Sequence, residues 1–340
     1  MRGNSFGNFL VLNSFGESHG AALGAVIDGC PSGIPLTVED IASALRRRRP
    51  GTSIITSARR EDDNPELLSG VHEGRTLGTP IAVIVRNIDA RSGDYHPAAY
   101  RTGHADRTWE EKYGIRDHRG GGRASGRETI ARVIGGAIAE KILPESVRIA
   151  AFSLQIGHIA PRSIPDNLTR GDIDMYPTRC PDPDADAAIT EELLRLKEQG
   201  DSVGGIVELR IDGVPSGWGE PVFHKAKSML CDGIMSIGAV SGVSLGDAFT
   251  ESLLPGSAFH LPVPRAPEGT DARSHGIQGG ITNGQRISLR VAVKPVSTLG
   301  DMARSGRHDP CVVPRIVPVI ESMAALVLAD LYLASRLNRA

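Results

Sequence analysis

Apolar residues in this chain repeat with two different periods, and the two do not take turns. "NFLVL", "LGAVIDG" and "TPIAVIVRN" are short runs of strand character. "TVEDIASALRRRRPG" and "SGRETIARVIGGAIAEKIL" repeat near the helical period instead. Further on, "VRIAAFSLQIG" and "GGIVELRIDGV" read as strands with a helix, "EELLRLKEQG", between them, and a helix through "IVPVIESMAALVLADLYL" closes the chain. A dinucleotide-binding doubly wound sheet would need regular strand–helix alternation and a G-x-G-x-x-G turn between a strand and a helix; this sequence has neither. The order predicts an α+β fold with helices packed on antiparallel sheet.

Local signals sharpen some of these elements. Thr37 caps the first helix with Asp40 at its third position, Val38, Ile41, Ala42 and Leu45 share a face, and Pro50-Gly51 stops it. Ser125-x-x-Glu128 has the form of a capping box opening the second helix, whose apolar stripe is Ile130, Val133, Ile134, Ala137 and Ile138. Asn283-Gly284 predicts a hairpin turn, with Ile287, Leu289, Val291 and Val293 alternating behind it. The Pro/Asp-rich "TRCPDPDADA" reads as a linker or a surface loop.

Charge and composition remove several classes of function. Against 40 acidic residues the chain carries 38 Lys and Arg, so any anion site must come from local clusters and not from a globally basic surface. Nucleic acid and polybasic membrane contact are therefore not expected, and aromatics at 4% supply no stacking platform. Cys30, Cys180, Cys231 and Cys311 are far apart and form neither a zinc knuckle nor a redox dithiol. The apolar run near the N-terminus is too short for a signal peptide, and no stretch reads as a membrane span, so the expected location is the cytoplasm.

The richest stretch is "YRTGHADRTWEEKYGIRDHRGGGRASGRET", with arginines at 101, 107, 116, 119, 123 and 127 and histidines at 104 and 118. Its end, "RGGGRAS", runs into a helix start, where free N–H groups and close backbone approach favour an anion; a solvated arginine face is the alternative. "RRRRPG", Arg46 to Gly51, complements a helix C-terminus whatever else it does. Together the two clusters suit a substrate with several negative groups. His19, in "FGESHG", and His104, in "GHAD", each sit in a polar loop with an acid two residues away, Glu17 and Asp106, and could move protons near neutrality. "GRHDPC" places Arg, His and Asp before the last helix, and "KPVSTLG" is a strand exit. No H-x-x-x-H spacing supports a metal site.

"FGESHGAALGAVIDGCPSGIPL", "RRRRPG", "GHAD…KYG…GGGR…RET" and "GRHDPC", in this order, resemble the chorismate synthase family from Gly3 to the last helix. The resemblance implies one domain over residues 1–340, a β-α-β sandwich with a helical core between antiparallel sheets. It implies anti 1,4-elimination of phosphate from 5-enolpyruvylshikimate-3-phosphate, giving chorismate for aromatic biosynthesis in the shikimate pathway. It further implies a requirement for reduced FMN without net redox change, and a homotetramer. Nothing resembles an added reductase module, so the flavin is expected to be reduced by an external flavin reductase, ultimately from NADPH.

Carried over by position, the proton-handling histidines fall on His19, toward the reduced flavin, and His104, toward the departing phosphate. Asp309 falls where the family's aspartate helps a flavin nitrogen take the substrate's proton. Substrate arginines fall on Arg48, Arg101, Arg127 and Arg307. Flavin contacts fall on Arg123, Ala124, Ser125, Gly238, Ala239, Gly279, Lys294, Pro295, Val296, Ser297, Thr298 and again Arg307.

The sequence also departs from the family pattern. Ile54 stands where many relatives carry arginine, with Arg59 or Arg60 as candidate replacements. Thr102 replaces a usual proline, Gly126 falls in "RASGRET" where "RSSARET" is usual, and Gly238 replaces an amide side chain. The loops before "GGITNG" and between "KPVSTLG" and "GRHDPC" are shorter than in common bacterial relatives. Ile54 and the shorter loops support a second reading, a paralogue acting on a related enolpyruvyl phosphate, and a third reading is a non-catalytic binder of flavin or an anionic metabolite.

Overall fold

The computed structural model describes residues 3–51, 53–56, 61–88, 100–264, 266–304 and 309–338. Two antiparallel sheets enclose the helices. The first has the strand order β1-β2-β3-β7-β4, with β1 Ser5–Phe6, β2 Val11–Phe15, β3 Ala22–Asp28, β4 Pro65–Leu67 and β7 Ile81–Arg86. The second runs β10-β13-β9-β8, with β8 Arg148–Ile156, β9 Gly205–Asp212, β10 Val240–Leu245 and β13 Ile287–Val293. Two small hairpins complete the strands: β5 Val71–His72 with β6 Arg75–Thr76, and β11 Ile277–Gln278 with β12 Ile281–Thr282.

Between the sheets lie α1 (Val38–Arg48), α3 (Thr129–Ile142), α6 (Ala226–Met235) and α10 (Val313–Ser335). Helix α3 packs on β2 and β3, α10 packs on β8 and β9, and the two helices pack on each other. The remaining helices, α2 (Asp106–Tyr113), α4 (Arg170–Asp174), α5 (Pro183–Gln199), α7 (Ala248–Glu251), α8 (Gly256–Phe259) and α9 (Asp301–Arg304), lie in the connections. One continuous core draws Leu12, Leu23 and Ile27 from the first sheet, Ile134 and Leu328 from the helices, and Val207 and Leu289 from the second sheet. The expected helical core between antiparallel sheets is the architecture observed.

Several local expectations change. Asn8–Leu10 bend instead of extending, because buried Asp330 collects the backbone N–H groups of Asn8, Phe9 and Leu10 at 3.0, 2.5 and 2.8 Å. The "PDPDADA" segment is neither linker nor loop. Asp182 accepts from the Ala185 N–H and Pro183 occupies the first turn of α5, so the prolines begin a helix. No capping box forms at Ser125: Glu128 turns to Arg132 at 2.9 Å, residues 122–128 make two tight 3₁₀ turns, and α3 begins at Thr129. Asn283-Gly284 closes no hairpin. The turn lies at Gly279-Gly280, between β11 and β12, while β13 pairs with β9 and β10. Finally, α10 is long and apolar enough to cross a membrane, but 89% of its apolar window is buried inside the protein, which is the pattern of a core helix.

The cap at Thr37 forms as expected: its hydroxyl accepts from the Asp40 N–H while Asp40 accepts from the Thr37 N–H. The cysteines are free; burial pushes Cys30 up to about 11 and Cys180 and Cys311 up to about 12, which leaves them unreactive thiols.

Candidate active site

The "FGESHG" loop leaves β2 and returns into β3, so both ends of the His19 loop are pinned in the first sheet. Ser18, fully buried, places its hydroxyl 3.0 Å from His19 Nδ1. Gly120 covers the ring so closely that a Cβ there would lie 2.1 Å from Nδ1. Arg123 braces the same loop, donating from Nη1 to the Gly16 carbonyl at 3.1 Å and from Nη2 to the Ser14 hydroxyl at 2.5 Å. Asn87, at the end of β7, donates to the carbonyls of Glu17 and Gly20 at 3.0 and 2.7 Å.

Asn87 also joins this loop to a buried charge cluster. Its Oδ1 accepts from Arg127 Nε at 2.8 Å, and Arg127 Nη1 reaches Asp63 Oδ1 at 3.1 Å. Arg48, the last residue of α1, donates from Nη2 to the other Asp63 oxygen at 2.5 Å. One carboxylate thus holds two guanidiniums, with Glu61 3.5 Å from Arg127. All three are sequestered: side-chain exposure is 1% for Arg48, 3% for Arg127 and 0% for Asp63. Burial would raise the Asp63 pKa, but the two guanidiniums outweigh it and hold the carboxyl below its ordinary value. Burial, with Arg315 and Arg127 as like-charged neighbours, pulls Arg48 down to about 10, so it stays protonated at neutral pH.

Asp309 belongs beside this cluster, because its ion-pair partner Arg315 also donates through Nε to the Arg48 carbonyl at 3.4 Å. Arg307 lies outside the described residues, as do Arg59 and Arg60. Ile54 is 67% exposed. Its carbonyl, and that of Thr56, accept from Lys197 Nζ at 3.1 Å, so a cation from α5 already stands in that segment.

The second histidine is held by its own loop. His104 Nδ1 is 2.7 Å from Asp106 Oδ1, and Arg101 grips the same carboxylate through Nη2 and Nε, each at 2.9 Å. Burial first, then the Arg101 charge, draws the His104 pKa below its usual value; Asp106 opposes them without prevailing. Lys294 tethers this loop to the second sheet, donating to the Gly103 carbonyl at 3.0 Å, while its own N–H donates to Ala239 at 2.9 Å. Ser297 lies against Gly103, and Val296 accepts from Ser202 at 2.9 Å.

A cavity of about 380 Å³ joins the two loops. Glu17 borders it on the His19 side, Ala105 and Asp106 on the His104 side, and Arg116, Arg123 and Ala124 also line it. Ser125 caps the second 3₁₀ turn through the Arg127 N–H at 3.3 Å. Gly238 and Ala239 follow α6, and Pro295 and the buried Thr298 flank Val296 and Ser297. Gly279 is at the other end of α6, where Gly280 packs on Lys225; ten helical residues, about 15 Å, separate it from Gly238. Gly279 therefore lies apart from Gly238 and Ala239 in this chain.

Asn87, Asp63 and Arg315 do not stand out in the sequence. An asparagine after a strand, an aspartate in "REDDNPE" and an arginine in a helix are ordinary there. The glycine run does single out Gly120, but as a ligand contact and not as the cover of a histidine. Among the described residues no group of His, Cys, Asp and Glu could hold a metal ion.

Residues 10–333 match the family model described as chorismate synthase. The chorismate synthase of Christiangramia forsetii is 46% identical, with 100% of each chain covered, and that of Opitutus terrae is 45% identical with 96% of each covered. A crystal structure of chorismate synthase superposes with a TM-score of 0.80 at 33% identity, covering 96% of this chain and 93% of the other. With a core, a topology and a full-length sequence in common with these proteins, the chain belongs to the chorismate synthase family, a family of lyases.

Proposed function

We propose that this chain converts 5-enolpyruvylshikimate-3-phosphate to chorismate by anti 1,4-elimination of phosphate, with reduced FMN bound, as one domain over residues 1–340. The observation that supports it best is the cavity bordered at once by the residues flanking His19 and those flanking His104. An elimination that moves a proton and releases an anion needs proton-handling loops that converge on one cleft with cations in its wall, here Arg116, Arg119 and Arg123.

The residues fit a reduced flavin. Gly238 leaves open space where a side chain would stand, Ala239 is in the left-handed region at φ 74°, and Lys294, whose N–H donates to the Ala239 carbonyl, carries its ammonium to the Gly103 carbonyl. Arg123, Ala124, Ser125 and the segment from Lys294 to Thr298 would hold the cofactor, with Arg307. Gly279 would serve it from a neighbouring copy or not at all. When bound, the flavin supplies the electron density that the elimination draws on.

His19, oriented by Ser18 and Gly120, would steady negative charge at the cofactor. Arg101 is placed to bind an anionic group beside His104. Both guanidiniums face Asp63, so a substrate that reached Arg48 or Arg127 would share them with that carboxylate. His104 is neutral at pH 7; a phosphate dianion arriving next to it raises its proton affinity, so that it can pass a proton to the leaving oxygen. Asp309 is the carboxylate proposed to assist the flavin nitrogen that would take the substrate's proton. Exposed Phe223, Phe249, Leu253 and Leu261 support a homo-oligomer, and we place the protein in the cytoplasm with an external reductase supplying the flavin.

The test is anaerobic turnover of 5-enolpyruvylshikimate-3-phosphate with chemically reduced FMN, following chorismate absorbance and phosphate together. Equal amounts of both products are expected. Binding of flavin and substrate without turnover would point to a paralogue with another substrate.

A further inference from the structure

Asp106 is the first residue of α2, yet its side chain does not cap that helix. It turns back into the loop and is 5% exposed there. Its oxygens take four contacts: Oδ1 receives Arg101 Nη2 at 2.9 Å and lies 2.7 Å from His104 Nδ1, while Oδ2 receives the Arg101 N–H at 3.1 Å and Arg101 Nε at 2.9 Å. The His104 N–H in turn donates to the Arg101 carbonyl at 3.2 Å. The carboxylate is therefore the hub on which a candidate substrate arginine and a candidate proton donor are both set.

An ionised carboxylate only accepts, so a ring nitrogen 2.7 Å from it must carry the hydrogen. We propose that Asp106 is the positioning residue of this site: it fixes His104 as the Nδ1–H tautomer, leaving Nε2 as the nitrogen that exchanges a proton with substrate. Arg101 Nη2, 3.0 Å from the same Nδ1, then has no lone pair to bond there and donates to Asp106 instead. Among the described residues, the charged groups acting on the ring are Arg101 and Asp106 from its own loop and Lys294 from the end of β13. Two cations against one carboxylate favour the neutral ring, and Asp106 is the anion that lets an imidazolium form when a phosphate joins it.

The assignment deepens the proposed elimination and rests on it for its catalytic meaning, but the tautomer is independent of turnover. The measurement is the pair of imidazole ¹⁵N shifts of His104 in full-length protein labelled at histidine, assigned by His104→Gln, with the ring titrated from pH 8 to 5. Nδ1–H in the unsubstituted protein is expected, with a change toward Nε2–H and a lower titration midpoint in Asp106→Asn. In turnover, Asp106→Asn is expected to lower kcat on the order of 100-fold, with the alkaline limb of the profile, where the proton donor is lost, moved to lower pH. An Nε2–H ring in the unsubstituted protein overturns the proposal, whether or not Asp106→Asn folds. So does an Asp106→Asn protein with unchanged tautomer and unchanged pH profile. The Nδ1–H ring in a protein that turns over no substrate would sink the functional reading and leave the coupling of Asp106 to His104 in place.

Discussion

Gly120 lies flat on the imidazole of His19, with no room between them for a methyl group: a Cβ at position 120 would sit 2.1 Å from Nδ1 and 2.3 Å from Cε1. The contact puts the glycine-rich segment over the "FGESHG" loop, and Arg123 then fastens the two together at Gly16 and Ser14. Gly120→Ala must displace the ring or the loop. Proton transfer tolerates little misplacement, so turnover is expected to fall about 100-fold with the fold intact. Steady-state kinetics beside a circular dichroism spectrum check this; an alanine variant of ordinary activity would show that the ring position is immaterial.

Asp63 is the counter-ion of both Arg48 and Arg127. Removing it leaves two buried cations with Glu61 as the acid close to Arg127. Asp63→Ala is therefore expected to cost about 3–5 kcal/mol of stability, the usual penalty for breaking a buried pair. Urea denaturation measures it. A loss below about 1 kcal/mol would mean that the cluster is as weakly coupled as a surface pair.

The contrast between Asp63 and His104 shows what sequence can and cannot disclose here. The elements with strong periodicity, α1, β7, β9 and α10, are where the pattern puts them, because each buries one face or all of itself. The site histidines were legible because polar loops flanked by glycine are unusual. Asp63 and Asn87 were not: their roles come from partners 15 to 70 residues away, and no local spacing records a contact closed by the fold. Ser125-x-x-Glu128 was misread for a local reason, since Glu128 pairs with Arg132 one turn on and leaves the cap unmade; Asn283-Gly284 was misread for the distant one, because β13 found its partners in β9 and β10.

Stability should fall in two stages as the medium is acidified. His104 has a depressed pKa, so the fold favours its neutral form; that contribution is complete above the ordinary value of about 6.5 and fades as pH falls through the lower folded value. Asp63 and Asp106 are also depressed, and their contributions persist until pH drops below the ordinary carboxylate value near 3.9, then vanish through their folded values. Denaturation midpoints between pH 8 and 3 test the order. His104→Gln is expected to flatten the first stage and spare the Asp63 part of the second, and a variant that leaves the first stage unchanged would refute its assignment to this ring.

Gly136 on α3 is where the two central helices meet: a Cβ there would lie 2.4 Å from Ser322 Cβ and 2.5 Å from its Cα on α10. Ser322 cannot retreat readily, since its hydroxyl donates to the Pro318 carbonyl at 2.7 Å within the same buried helix. Gly136→Ala gains helix propensity of about 1 kcal/mol, but overpacking costs about 1–3 kcal/mol and should win. The expected net is a loss of up to about 2 kcal/mol, read by urea denaturation. Ser322→Gly in the same chain removes the opposing Cβ, so the double variant should recover part of what Gly136→Ala loses. Simple additivity of the two would mean that the helices separate freely at this crossing and that the close approach is not what fixes their spacing.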